Sequence, residues 1–374
     1  MKIKAAVLKQ SGLSRPYSLS KPLIIEEIEL DPPKLGEVMI QIKAVGLCHS
    51  DLVAISGERG KPMPIVIGHE AAGVVVELGK EVQGLEIGDH VVPSYVSSCG
   101  SCEMCSIGRP ALCEPATNSN AAAVLRDGTT RLHLGGDRIH HHSGVAGFAE
   151  FSVVAKEALI KIEKNIAFEH AALFGCGVVT GVGSVINTAN IKPGEDIAII
   201  GLGGVGLSAL LAARAVGAGK IIALDLNSEK LLLAKELGAN FAINVSEKDF
   251  VEHVKQLTSG GVHAAIETAG SAKALKAAFD VTRRGGMTVA AGMPGPDAKI
   301  TLSHLSIASE ERVIKGSYMG SCVPKRDIPR YISLFQDGKL PVQKLLSKLI
   351  SFDELNAAMD RLDDAVTVRE VLIP

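Results

Sequence analysis

The sequence predicts an α/β protein made of a mostly-β domain and a doubly wound parallel sheet, and three observations carry that expectation. Near residue 178 the apolar pattern changes, from short β-branched runs between turns to continuous apolar strands alternating with helices. A glycine turn, Gly201-Leu202-Gly203-Gly204-Val205-Gly206, opens the second region. Four cysteines crowd one short loop of the first. The boundaries predicted are 1–177 and 318–374 for the mostly-β domain, and 178–317 for the parallel sheet.

In the first region the runs Glu37–Val45, Ala72–Leu78, His90–Tyr95 and Phe148–Val154 are spaced as in a compact, mostly antiparallel, barrel-like domain. After residue 178, Asp196–Ile200 reads as a strand, Gly204–Val216 as a helix and Lys220–Asp225 as a strand. Ser228–Leu237 follows as a helix and Phe241–Asn244 as a strand. Further strands are expected at Ala264–Glu267, Met287–Ala291 and Arg312–Ser317. Continuous apolar strands separated by helices imply a parallel sheet covered on both faces. Beyond residue 318 the turn-rich GSCVPKRDIP and a helix at Phe352–Leu362 read as a return to the first domain. The charge-free stretch Ile197–Ala213 is broken by glycines and bracketed by Glu195–Asp196 and Arg214. It reads as a buried strand running into a helix, not a membrane span.

The cysteines Cys99, Cys102, Cys105 and Cys113 are spaced C-x2-C-x2-C-x7-C. Four thiolates this close cannot all pair as disulfides without geometric conflict, but they wrap readily around one tetrahedral Zn²⁺. Iron–sulfur runs of the ferredoxin kind use a tighter last interval followed by proline. A closed set of four sulfurs leaves no position for chemistry, so the lobe at about 97–115 is read as holding a structural zinc.

The glycine turn follows one predicted strand and opens a helix, the setting in which such a turn cradles a pyrophosphate at a helix N-terminus. The first glycine makes the bend, the second admits the phosphates and the third lets helix and strand pack closely. Asp225 ends the next strand, where a carboxylate would accept hydrogen bonds from the adenosine ribose and repel a 2′-phosphate. NAD is favoured over NADP.

Composition narrows the rest. The 374 residues are 47% hydrophobic, with a formal net charge of −2 and a pI near 6.6. That balance argues against a nucleic-acid partner. An odd count of seven cysteines, four of them claimed by the lobe, fits a reducing cytoplasm better than a disulfide framework. The start, MKIKAAVLKQ, lacks the apolar core of a signal peptide.

Three residues elsewhere suggest a reactive metal. Cys48 opens Cys48-His49-Ser50-Asp51, His69 lies in Gly68-His69-Glu70, and Cys176 sits between two glycines. Singly, each is more often a buried small side chain or a satisfied core histidine. Together they form a Cys₂His set. Two thiolates would neutralise Zn²⁺ and leave an open fourth position with Lewis acidity. Ser50, two residues past Cys48, would be the first acceptor of a substrate hydroxyl proton.

Over essentially its whole length the chain resembles the zinc-dependent alcohol dehydrogenases of the medium-chain dehydrogenase/reductase superfamily, for which the Cys₂His set is already described. Gly68-His69-Glu70-x2-Gly73-x5-Gly79-x2-Val82 fits that family's zinc signature. The resemblance implies a GroES-like catalytic domain interrupted by a Rossmann domain, and NAD-dependent oxidation of alcohols with one catalytic and one structural zinc per chain. It further implies that Glu70 is an acidic neighbour able to swing toward the metal. Asp51 would fix the zinc-bound His69 from behind, as a ligating imidazole generally requires. His49 would face the coenzyme pyrophosphate, Lys230 the adenosine ribose, and Arg369 either the pyrophosphate or only solvent. Tyr95 would line the substrate pocket.

The chain also departs from the family. Many relatives carry a histidine three residues after the relay hydroxyl, where Val53 stands here, so the proton's way out is open. The run His140, His141, His142 is expected as a solvated loop or a neighbour of the cleft. The glutathione-dependent formaldehyde branch normally has threonine in place of Ser50 and an arginine shortly after the zinc lobe, yet Glu114–Leu125 contains no basic residue. The expected substrates are primary alcohols, aryl or medium-chain aliphatic, in an apolar pocket. Glutathione-dependent formaldehyde oxidation, polyol oxidation and a non-catalytic zinc protein are the alternatives. A homodimer through a sheet edge near Met287–Ala291, or a homotetramer, is expected.

Overall fold

The computed structural model describes residues 1–374. The chain forms two compact units. One comprises Met1–Cys176, Val323–Ile332 and Gln343–Pro374, and the other Gly177–Cys322 and Ser333–Val342.

The first unit holds two β-structures. Lys2–Leu8, Leu23–Leu30, Leu132–Leu134, Asp137–His141 and Ile65–Val66 close into a barrel in that order. Beside it runs a sheet ordered Leu159–Ile162, His90–Pro93, Glu70–Leu78, Glu37–Gly46, Arg369–Leu372 and Leu346–Ile350, with Phe151–Ala155 also paired to Glu37–Gly46. Alternating apolar side chains seal the interior, with Ile40, Val45, Leu47, Ile67, Val75 and Phe148 all fully buried. The barrel built on Lys2–Leu8 and Leu23–Leu30 was not among the expected strands, because Leu23–Leu30 carries three glutamates in eight residues. A half-solvated barrel wall breaks the apolar run that marks a buried strand.

Strand register gathers residues that are far apart in the chain. Gly46 stands opposite Glu70 on one side and Val371 on the other. The strand ends therefore bring Leu47–Cys48, His69–Glu70 and Arg369 to one spot.

The second unit is a six-stranded, all-parallel sheet in the order Phe241–Asn244, Ile221–Asp225, Ile197–Ile200, Val262–Glu267, Thr282–Ala290 and Val313–Gly316. Every residue of Ile197–Ile200 is buried, and the glycine-started helix Gly204–Ala215 follows it. That is how Ile197–Ala213 comes to carry no charge. No single helix of the chain is long and apolar enough to cross a membrane.

One expectation is corrected here. The strand containing Met287–Ala290 is not an edge but lies between Val262–Glu267 and Val313–Gly316. The outer strand is Val313–Gly316, and all four of its residues are exposed. Strand order is a tertiary property that the local sequence pattern does not encode.

Candidate active site and metal centres

The loop of four cysteines folds with its sulfurs together. Sγ of Cys99 lies 4.0 Å from that of Cys105, and Sγ of Cys102 lies 3.9 Å from that of Cys113. Zinc–thiolate bonds of about 2.3 Å in a tetrahedron separate sulfurs by about 3.8 Å, so the cage has the right size. None of the seven cysteines is in a disulfide. Backbone amides point at sulfur, as thiolates need: Cys99 N–H donates to Sγ of Cys113 at 3.2 Å, and Cys102 N–H to Sγ of Cys99 at 3.2 Å. The amides of Ser101 and Cys102 draw the Cys99 thiol down to about 6, while burial and neighbouring sulfurs push Cys105 up to about 12. Sulfurs this close cannot all shed their protons unless a cation shares the space.

The second cluster is buried. Ligand atoms of Cys48, His69, Glu70 and Cys176 all lie within 4.8 Å of one another. Cys48 is the N-cap of the helix His49–Ser56, in a capping box whose other half is Asp51. Asp51, fully buried, holds several groups at once. Its Oδ2 accepts from the Cys48 amide at 3.0 Å, and its Oδ1 accepts from the Gly68 amide at 3.1 Å. Nδ1 of His69 lies 3.3 Å from the same Oδ1. With Nδ1 engaged, the other imidazole nitrogen is left for the sulfurs, which is the tautomer a ligating histidine requires. Gly68 makes this close approach possible. Its φ is +87°, and a Cβ there would sit 2.6 Å from Cδ1 of Phe148.

The charges agree with a cation site. A hydrogen bond shared with Cys176 holds Cys48 well below the ordinary thiol range, burial opposing and His69 assisting, and Cys176 rises in turn. Burial disfavours a charged His69, yet Asp51 and Cys48 hold it well above its ordinary value. Burial lifts the Glu70 carboxyl to about 8 despite Arg369 beside it.

Arg369 is buried, so the solvated alternative fails. It pairs with Oε1 of Glu70 at 3.3 Å and donates to the Leu47 carbonyl at 2.8 Å. The arginine thus braces the strand that carries Cys48 and the residue beside the cluster. His49 is exposed and Ser50 half-buried, both in the first turn of the helix, and half-buried Val53 lies one turn on.

The histidine run is not a solvated loop. His141 ends the strand Asp137–His141 and is fully buried, its Nε2 accepting from the Arg131 amide at 3.2 Å. His142 is buried against the reactive cluster, its ring edge-on to His69 with centroids 5.2 Å apart and its Nδ1 3.5 Å from Oδ1 of Asp51. Tyr95 meets His69 in the same edge-on fashion at 5.7 Å. Three adjacent histidines resemble a polar loop in sequence. Pairing of Ile65–Val66 with His140–His141 carries the run into the barrel, which local pattern does not show.

In the second unit the glycine turn has its expected shape. A Cβ on Gly206 would lie 1.8 Å from the Gly201 carbonyl, so helix and strand could not approach as they do. Nothing lies within 4 Å of where a Cβ on Gly203 would sit, which leaves an open cradle at the helix start. Asp225 is pinned below it, with Oδ2 accepting from the Leu202 amide at 2.6 Å and Oδ1 from the Asn227 amide at 2.8 Å. Each oxygen keeps a lone pair for a hydroxyl. Lys230 is near enough to feel the Asp225 charge, although burial still lowers it below the ordinary lysine value. Thr268, which no motif marks, donates to the Gly201 carbonyl at 2.6 Å and steadies the turn.

Known proteins agree with this geometry. The family profile described as alcohol dehydrogenase GroES-like domain matches residues 34–164, and that described as zinc-binding dehydrogenase matches residues 204–337. An S-(hydroxymethyl)glutathione dehydrogenase of Escherichia coli O1:K1 / APEC is 36% identical over the full length of both chains. Among solved structures, an alcohol dehydrogenase zinc-binding domain protein from Burkholderia ambifaria superposes with a TM-score of 0.94 at 33% identity, covering 100% of this chain and 99% of its own. Benzyl alcohol dehydrogenase from Acinetobacter calcoaceticus gives 0.93 at 32% identity, with the same coverage. The chain belongs to the zinc-dependent alcohol dehydrogenases of the medium-chain dehydrogenase/reductase superfamily, and it is an enzyme.

Proposed function

We propose that this enzyme oxidises a primary alcohol, aryl or medium-chain aliphatic, to the aldehyde with reversible hydride transfer to NAD. Cys48, His69 and Cys176 are the ligands of its catalytic zinc, and Cys99, Cys102, Cys105 and Cys113 those of its structural zinc. The observation that carries the reading is the buried Cys48/His69/Cys176 cluster with Asp51 seated on Nδ1 of His69. Zinc held by three protein ligands supplies Lewis acidity, and NAD supplies a hydride acceptor. The rest falls to the chain. Asp51 holds the His69 tautomer and orientation. Glu70, next to the ligands and braced by Arg369, is the acidic neighbour able to swing toward the metal. The turn Gly201–Gly206 receives the pyrophosphate, with Asp225 and Lys230 at the adenosine ribose and His49 toward the phosphates. Association is as a homodimer or homotetramer, and the exposed Val313–Gly316 is the free edge available to it.

Zinc content and NADH production across an alcohol panel test this together. Two zinc ions per chain with turnover supports it. A single zinc without turnover supports a non-catalytic protein on the same fold.

Ser50 takes the alcohol proton. Ser50→Ala should slow single-turnover hydride transfer by about 10²-fold, a typical general acid–base contribution. Val53 offers no onward base, so the proton passes to water or His49. Parental rates in Ser50→Ala from neutral to mildly acidic pH would remove Ser50 from the relay.

Asp225→Gly should shrink the preference for NAD over NADP about ten-fold, or about 1.4 kcal/mol. The Leu202 amide loses its acceptor in that variant, so both coenzymes should bind more weakly. The ratio of the two kcat/KM values is therefore the readout. If that ratio does not move, the carboxylate does not face the ribose.

The S-(hydroxymethyl)glutathione dehydrogenase relative favours a second reading, oxidation of the glutathione adduct of formaldehyde. Against it, no basic residue stands in Glu114–Leu125.

A further inference from the structure

A strained stretch of backbone presents His142. Ser143 and Ala146 both adopt left-handed conformations, with φ of +55° and +50°, and Gly144 between them has φ +65°. Of the three, only the glycine enters that region without steric cost. The turn is fixed nonetheless. The amides of Val145 and Ala146 both donate to the His142 carbonyl, at 3.0 and 3.2 Å, and Oγ of Ser152 donates to the Val145 carbonyl at 2.5 Å. One residue before His142, the His141 amide donates to the Ala123 carbonyl at 2.9 Å. Strain that neighbouring bonds over-determine clusters where a side chain must be aimed, and the side chain here is His142.

The ring is aimed at Asp51. His142 is 5% exposed, and its Nδ1, buried and without a hydrogen-bond partner, stands 3.5 Å from Oδ1 of Asp51. The same oxygen accepts from the Gly68 amide at 3.1 Å and faces Nδ1 of His69 at 3.3 Å. Two imidazoles therefore face one carboxylate oxygen, each across a gap longer than the usual N–H···O bond. A buried polar nitrogen without a partner is costly, and a phenylalanine would pack edge-on against His69 equally well. What the imidazole adds is a donor beside Asp51. With an acceptor on that side, the ring proton belongs on Nδ1. Long hydrogen bonds in reactive sites commonly tighten once the site is loaded.

We propose that His142 is a positioning residue of the catalytic zinc site, its Nδ1–H steadying Asp51 and, through Asp51, the ring of His69. The inference rests on the reading of Cys48, His69 and Cys176 as the ligands of that zinc. Asp51 is then held from three directions, by the Cys48 amide on Oδ2 and by the Gly68 amide and His142 on Oδ1. A carboxylate pinned in this way does not swivel, so the imidazole it backs keeps the orientation that a metal bond requires. Loss of such an outer partner typically costs about 10–100-fold in metal affinity or activity.

The test follows zinc release from the metal-loaded protein to the chromogenic chelator 4-(2-pyridylazo)resorcinol. Cys176→Ala marks which phase of release belongs to the catalytic zinc, because that variant should lack it. His142→Phe and His142→Leu remove the donor, the first keeping an aromatic ring against His69. His142→Asn keeps an amide N–H close to where Nδ1 stood. The two apolar variants should release the catalytic zinc about ten-fold faster than the parent, with the zinc of the four-cysteine lobe unaffected. His142→Asn should restore most of the parental retention. Melting temperatures are read alongside. Parental release from both apolar variants, whether or not they melt lower, would make His142 a packing residue and overturn the proposal. So would a His142→Asn protein that releases zinc as fast as they do. A Cys176→Ala protein that keeps both phases would sink the ligand assignment itself, whereas a lost phase there with parental release from the His142 variants sinks only the role of His142.

Discussion

Replacing Cys176 with alanine is expected to lower kcat by about 10³-fold or more while the fold survives. Lewis acidity is worth several kcal/mol of transition-state stabilisation, and each 1.36 kcal/mol is about ten-fold in rate. The variant should hold one zinc per chain in place of two, since the proposed catalytic site loses one of its three ligands. Its melting temperature should move little, because alanine fits where a buried thiol did and no backbone bond is lost. Cys102→Ser should behave in the opposite way. It strips a ligand from a cage whose only service is structural, so zinc is lost with thermal stability or assembly rather than with the chemistry. Metal analysis, melting and kinetics on both variants decide the matter. A Cys176→Ala protein that still turns over at parental rates, or a Cys102→Ser protein with two zincs and parental stability, would reverse the roles.

Arg131→Leu should produce the largest loss of stability at a site without chemistry. Arg131 is fully buried, and its guanidinium meets Glu37 through Nε at 2.8 Å and Nη2 at 2.6 Å. Nη2 also reaches Asp127 at 2.6 Å, and Nη1 donates to the Thr130 carbonyl at 2.8 Å and to Thr129. Removing the cation strands a buried carboxylate, at a cost of about 3–5 kcal/mol. A fall in melting temperature on the order of 10 °C is expected for a unit of this size. Asp127 adds a pH signature. Despite partial burial, Arg131 and Thr129 hold its carboxyl down to about 2, from an ordinary 3.8. A depressed carboxyl stabilises the fold above its unfolded value and loses that contribution as the pH falls toward 2. The contribution is small because Asp127 is half-exposed. The parent should therefore lose stability between about pH 4 and 2 slightly faster than Arg131→Leu does. A shift below about 2 °C at neutral pH would mean that water reaches Glu37 and the pair matters little.

Much of this molecule was legible because its chemistry is local in sequence. The four-cysteine lobe, the glycine turn and Asp225 each depend on spacings within a few tens of residues. The strands flanking the turn are continuous apolar runs, which only burial on both faces explains. Cys48, His69 and Cys176 were legible for another reason, as each sits beside a glycine in a chain already marked by zinc and dinucleotide signals. What spacing could not convey is tertiary. His142 looked like part of a solvated run, yet it packs edge-on against His69 beside Asp51. Arg369 gave no hint that it would turn inward to Glu70. The outer strand of the parallel sheet was misassigned for the same reason.

The strand Arg369–Leu372 lies against Glu37–Gly46, and Arg369 donates to the Leu47 carbonyl across 322 positions of chain. That pairing has a consequence for biosynthesis. A ribosome delivers Cys48, His69 and Cys176 early, yet the strand that braces them emerges only after the whole parallel-sheet unit has been made. Until then Glu70 lacks its arginine, and the Val45–Gly46 end of Glu37–Gly46 lacks its strand partner, the kind of opening that recruits unwanted neighbours. The reactive centre is thus among the last parts of the nascent protein to be finished, and a stalled chain would carry its metal-binding thiols without the clasp that secures them.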